Sequence, residues 1–185
     1  MIKKLCRVFV VAALLSGCAT RIQGPNYLTV EPSFDLFQFF DGSVKAWGLV
    51  QNRSGELVQR FEVDIKGTVE GDRLTLDEQF YYAVGEGVAE RTWVIERQSD
   101  GTYVGDAGDI LGSAQGQSFG NAFHWSYRMA IPVAKREIEV AFEDWFWAID
   151  DRRLLNRSYL QKLGFDVAEV TIFMERVDGA AAKFD

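Results

Sequence analysis

The chain has 185 residues, 20 Lys+Arg against 27 Asp+Glu, and a formal net charge of −7. That acidity opposes binding to nucleic acid or to anionic lipid through a basic surface, because both depend on neutralising phosphate charge. The length suits one domain with a sizeable core, and two cysteines are too few for a disulfide framework.

Residues 1–17 read as a removable leader. Lys3, Lys4 and Arg7 give it a positive start, Val8 to Leu15 an apolar run, and Ser16 and Gly17 a small-residue cleavage point. The run is far shorter than the roughly 20 residues that span a bilayer. Leu15-Ser16-Gly17-Cys18 resembles the bacterial lipobox. The resemblance implies that the Cys18 thiol is diacylated, the leader cut before it, and the new amine acylated, typically with palmitate. One acyl chain binds a membrane marginally, whereas two or more anchor it stably. Ala19, where an aspartate would retain the protein at the inner membrane, implies an outer-membrane lipid anchor with the body facing the periplasm. Cys6 leaves with the leader, so the mature chain keeps no free thiol for a disulfide, a metal site or a nucleophile. Its core alone must hold the domain in an oxidising compartment.

Residues 18–32 form a lipidated tether broken by Gly24, Pro25 and Pro32. Ser33 is placed to cap a short helix over Phe34 to Phe40, whose apolar residues suit a plug. The period then changes to two. Leu57, Phe61, Val63, Ile65 and Val69 share one parity, and Arg60, Glu62, Asp64, Lys66 and Glu70 hold the other, as in a half-buried antiparallel strand. Alternating runs near 43–51, 57–69, 73–83, 88–98, 102–106, 110–118, 122–132, 136–149, 153–162 and 165–177 are separated by short turns. The domain is thus expected over 33–177, followed by a frayed tail at 178–185. The predicted class is all-β: an up-and-down antiparallel barrel of about ten strands, lipocalin- or calycin-like, with an N-terminal plug helix. Such a barrel is either filled by side chains or holds one small ligand. Gly42 and Trp47 after the plug resemble the lipocalin pattern of a first-strand tryptophan sealing the closed end, although the spacing departs from Gly-x-Trp.

Within the hairpin 73–98, Leu74, Leu76, Phe80 and Tyr82 share a face that includes Glu78. Ala89, Trp93 and Ile95 share one that includes Arg91. Pairing 74 with 95, 76 with 93 and 80 with 89 brings both apolar sets together and sets Glu78 opposite Arg91. Inward charges are costly alone and tolerable as a hydrogen-bonded pair. The pair reads either as a polar anchor for a carboxylate, phosphate or hydroxyl head group, or as a self-satisfied structural ion pair. On 122–132, Phe123, Trp125, Tyr127, Met129 and Ile131 face one way, and His124, Ser126 and Arg128 the other. A single outward histidine supplies neither a zinc set nor a Ser-His-acid triad, so no metal, cofactor or catalytic residue is assigned. Ile110, Gly112, Ala114 and Gly116 share one parity, which either admits a bulky neighbour or leaves room for ligand. On 136–149, Ile138, Val140 and Phe142 are even, whereas Trp145, Trp147 and Ile149 are odd. A β-bulge at Glu143-Asp144, or a strand end buried on both faces, accounts for the change.

The succession FFDGSVKAWG, LTLDEQFYY, ERTWVIER, DILGSAQGQSFGNAFHWSY and DDRRLLNRSYLQKLGFDVAEVTIFMER, over roughly residues 30–177, resembles a domain-of-unknown-function family of lipoproteins from Gram-negative bacteria. The resemblance implies a role in the envelope and transfers no catalytic residue. The leading expectation is a carrier of a small hydrophobic or amphipathic, lipid-like molecule. Trp47, Tyr82, Trp93, Trp125 and Tyr127 would line or close its cavity, with Glu78 and Arg91 as polar anchor. The alternatives are an envelope lipoprotein whose filled barrel binds a protein partner and, less favoured, a lipid-modifying enzyme.

Overall fold

A computed structural model of the chain describes residues 22–133 and 136–177. The leader, Cys18 and the tail at 178–185 lie outside the described residues. Ten antiparallel strands follow in order: β1 (Gly42–Asn52), β2 (Leu57–Glu70), β3 (Arg73–Val84), β4 (Glu90–Arg97), β5 (Tyr103–Ala107), β6 (Ala114–Phe119), β7 (Ala122–Val133), β8 (Arg136–Ala148), β9 (Arg153–Lys162) and β10 (Phe165–Arg176). Each pairs with its neighbours in the chain, and β1 pairs with β10 to close the barrel. The predicted all-β up-and-down barrel is therefore observed. Closure leaves no free sheet edge to recruit another strand.

Alternation decides which side chains enter the barrel. On β2, Phe61, Val63 and Ile65 are buried, while Arg60, Glu62, Asp64 and Lys66 are exposed. The hairpin β3–β4 has the expected register, with Leu74 opposite Ile95, Leu76 opposite Trp93, and Glu78 opposite Arg91.

One end is plugged. Helix α1 (Leu36–Phe40) buries Leu36, Phe37, Phe39 and Phe40. Its cap is Asp35 rather than Ser33: Asp35 Oδ1 accepts from the amides of Phe37 (2.8 Å) and Gln38 (3.0 Å), so the helix starts later than expected. The Ser33 amide instead donates to Glu31 Oε2 at 2.8 Å. The guanidinium of Arg97 lies 4.5 Å from the Phe37 ring and is 3.3 Å from Asp35, and Arg176 donates to the carbonyls of Gln38, Phe39 and Asp41. Two strand-borne arginines thus clamp both ends of the plug. Gly67 permits the contact, since a Cβ there would lie 1.7 Å from the Phe40 carbonyl oxygen.

One further expectation needs correction, and one left between two alternatives is decided. The strand expected from residue 110 begins at Ala114. The Ile110 amide bonds back to Ala107 and that of Leu111 crosses to the Arg128 carbonyl, which takes this segment out of the ladder with β5. Its small residues admit a bulky neighbour: a Cβ on Gly116 would lie 2.4 Å from Trp125. On β8 there is no bulge, because its pairing with β7 and β9 runs without a shift. Trp145 and Trp147 face outward and are covered there. Tyr27, from a 3-10 helix over Gly24–Tyr27, lies 6.4 and 6.2 Å from them, and His124 stacks on Trp145 at 4.5 Å. This strand end is buried on both faces.

Candidate functional site

The barrel encloses a lumen of about 990 Å³ that runs from α1 to the turns at the opposite end. Its wall is mainly apolar. Aromatic side chains dominate one side: Trp93 meets Trp125 edge-on at 5.7 Å and Tyr127 at 5.3 Å, and Tyr127 stacks on Phe142 at 4.8 Å. Such pairs fix ring positions, which keeps the wall from collapsing into the space.

Of the residues singled out from sequence, Glu78, Tyr82, Arg91, Trp93, Trp125 and Tyr127 all line the lumen. Trp47 does not. On β1 the buried positions are Val44, Ala46, Gly48 and Val50, which puts Trp47 on the outer face, stacked against Phe173 at 6.1 Å. A Trp47 lining or closing the cavity is thereby corrected by strand parity.

Glu78 and Arg91 are cross-strand partners, yet the guanidinium turns elsewhere. Arg91 grips Asp109 in a two-pronged contact, Nε to Oδ1 at 3.2 Å and Nη2 to Oδ2 at 2.7 Å. Fork-on-carboxylate pairs of this kind are the strongest ordinary ion pairs. Burial opposes the charge on Arg91, and the Asp109 hydrogen bond together with the nearby acidic groups outweighs it. Glu78 is left without a hydrogen bond or ion pair among the described residues. Its accessible surface opens onto the lumen, and burial pushes its carboxyl up to about 7 despite the attraction of Arg91.

A second inward carboxyl was not foreseen. Asp144, on β8 opposite Trp125, is 6 % exposed, and its Oδ1 has no hydrogen-bond partner. Burial raises it to about 7; the Ser158 hydroxyl, His124, Tyr127 and Arg91 all favour its ionised form, and together they fall short. Ser158 and Asn156 continue the polar row along β9. The Ser158 hydroxyl has one proton and two acceptors beside it, and it donates to Asn156 Oδ1 at 3.3 Å. Asn156 in turn donates to the Trp145 carbonyl at 3.2 Å. Burial also raises Tyr82, and raises Tyr127 well above the usual phenol range, so both keep their protons. His124 stands outside, its Nε2 2.7 Å from Glu143 Oε2. No three His, Cys, Asp or Glu side chains converge as a metal set among the described residues.

Parity could have found some of what was missed. Asn156 and Ser158 alternate with Leu154 and Leu160, and Asp144 continues the even series Ile138, Val140, Phe142. Asp109 gave no such sign, because it reaches Arg91 from a loop rather than from a strand.

A closed ten-stranded antiparallel barrel with an apolar lumen and a few inward carboxyls defines the class of this protein. Within it, the chain belongs to the DUF3833 family, proteins of unknown function, whose profile matches residues 12–176. No curated protein matches it. Among solved structures it is similar to a protein of unknown function from the DUF3598 family of Nostoc punctiforme, with a TM-score of 0.57 and 13% identity over 80% of this chain and 51% of that one. The match thus spans about half the length of the Nostoc protein. It is also similar to the S-type phycobiliprotein lyase CPES from Guillardia theta, with a TM-score of 0.54 and 12% identity over 78% and 92% of the two chains. At these identities the likeness is one of fold.

Proposed function

We propose that this protein is an outer-membrane lipoprotein, anchored through Cys18 and facing the periplasm, that binds or shuttles a small hydrophobic or amphipathic molecule. The observation that carries the reading is the lumen itself. About 990 Å³ with apolar walls and a few polar groups falls within the roughly 300–1,000 Å³ typical of small-molecule sites. The fold shared with a phycobiliprotein lyase is compatible with a ligand-handling barrel. A filled barrel serving only as a docking surface would need this space occupied by side chains.

The 3-10 helix within the expected tether packs at the plug end, beside Phe119, Gly120 and Trp147. An anchor at Cys18 therefore turns the plug toward the membrane and the mouth toward the periplasm, as suits handing a ligand to a partner. Native mass spectrometry of the acylated protein, purified from envelope membranes, tests the carrier. A co-purifying lipophile of a few hundred daltons is expected, and an empty protein that also rejects added lipophiles sinks the reading. Labelling with a palmitate analogue tests the anchor: Cys18→Ala abolishes incorporation, and retained label would disprove it.

A further inference from the structure

We propose that the lumen selects lipophiles carrying a protonated amine, whose ammonium sits between Glu78 and Asp144 against the aromatic wall. This rests on the carrier reading above and names the ligand's polar group.

The charges inside the barrel point this way. Among the described residues Arg91 is the one cation deep in the lumen, and Asp109 already occupies its fork through three hydrogen bonds. A carboxylate or phosphate head group would have to break that pair and would then meet Glu78 and Asp144. Lys162 and Glu86, the other charged residues on the lining, lie toward the mouth, and Lys162 Nζ already donates to the Glu139 carbonyl at 2.8 Å. Two inward carboxyls thus remain without an ion-pair partner among the described residues, with only the field of the already engaged Arg91 acting on both. Asp144 is more than nine-tenths buried, with Oδ1 unpartnered, and Glu78 has no bonded partner among the described residues.

Unpaired buried acids are costly unless something completes them. An ammonium does so, with three donors and the opposite charge, while its alkyl chain fills the apolar remainder. Tyr127 lies close enough to both carboxyls for each to raise its pKa, and its ring belongs to the cluster with Trp93 and Trp125. Aromatic faces attract a desolvated cation, so carboxylates and rings act on the same group. A neutral hydroxyl could satisfy one carboxyl oxygen but not the charge.

The test uses the full acylated chain in neutral detergent, incubated with an equimolar mixture of dodecylamine, dodecanol and dodecanoic acid and read by native mass spectrometry. Dodecylamine adducts are expected at least tenfold above either competitor. In the Glu78→Gln/Asp144→Asn protein the amine-to-alcohol ratio should fall to near one, and circular dichroism confirms that this variant is folded. Equal occupancy by amine and alcohol, or a preference for the acid, overturns the amine proposal and leaves the carrier standing. Failure of all three to bind removes the carrier reading and the proposal with it.

Discussion

The plugged end and the mouth are built by the same alternating strands, yet the plug segment buries its aromatic side chains whereas every turn of the mouth leaves an apolar one open. At the plug, Phe34, Phe37, Phe39 and Phe40 are all at most 7 % exposed, and two arginines hold the helix to the wall. At the mouth, each of the five turns leaves a large apolar side chain in the open: Leu57, Val88, Leu111, Val133, and Leu163 with Phe165, the last two 88 % and 64 % exposed. The two carboxyls with raised pKa values lie between these ends. The contrast separates the part of the barrel that pays for folding from the part left free to receive something.

The largest effects should therefore come from the plugged end. Phe123, 1 % exposed, touches Phe34 from the tether side, Tyr103, Trp125 and Phe146. Phe123→Ala removes a ring from a wall too well braced to collapse, and should cost about 3–5 kcal/mol in urea unfolding. A loss below about 1 kcal/mol would show that this end is not the stabilising core. Gly67→Ala is smaller in volume but meets the Phe40 backbone, so the plug must shift. A destabilisation of roughly 1–3 kcal/mol is expected, with fluorescence of the plug-side aromatics changing as well; an unaltered protein would mean that α1 is loosely seated.

How much of this could be read beforehand differs between the two ends. Strand parity was enough for the barrel, for the β3–β4 register and for the inward set Glu78, Tyr82, Arg91, Trp93, Trp125 and Tyr127. The same parity, applied to Val44, Ala46 and Val50, would have put Trp47 outside; the lipocalin resemblance pulled it inward. Asp144 was hidden by its neighbours. Trp145 and Trp147 look like core residues, but they are covered on the outer face by His124, Phe119 and Tyr27, the last from more than a hundred residues earlier in the chain. Contacts between distant segments leave no local period. For the same reason the Arg91–Asp109 pair, made across a loop, could not be seen in the register that placed Arg91 opposite Glu78.

The middle of the barrel predicts a pH dependence of intermediate size. Glu78 rises from 4.5 to about 7 and Asp144 from 3.8 to about 7 on folding. Below pH about 3 both states hold these protons and neither carboxyl affects stability. As pH climbs toward 7 the unfolded chain releases them first, so stability falls, and above 7 the decline levels off. At about 1.4 kcal/mol per pKa unit the two rises set an upper bound of about 8 kcal/mol, and lumen water together with the mutual repulsion of the two carboxyls brings the fall down to the order of 2–3 kcal/mol. The groups around the pair (Arg91, Asp109, Tyr127, Ser158 and, from the outer face, His124) are common to wild type and to Glu78→Gln/Asp144→Asn. The difference between the two unfolding curves therefore isolates the carboxyls. The variant should gain on the wild type between pH 4 and 7; parallel curves would mean that neither acid is strained by burial.

The smallest effect should come from the mouth. Leu163→Ser with Phe165→Ser removes two exposed side chains that support no core contact, and stability should stay within about 0.5 kcal/mol of wild type. Leu163 holds a positive φ of 51° at its turn, which serine tolerates no worse than leucine. The same pair of changes should reduce nonspecific adsorption to apolar resin, because exposed apolar groups on five adjacent turns act together. If instead stability dropped by more than 1 kcal/mol, the mouth would be part of the folding core after all, and the division between a built end and a receiving end would fail.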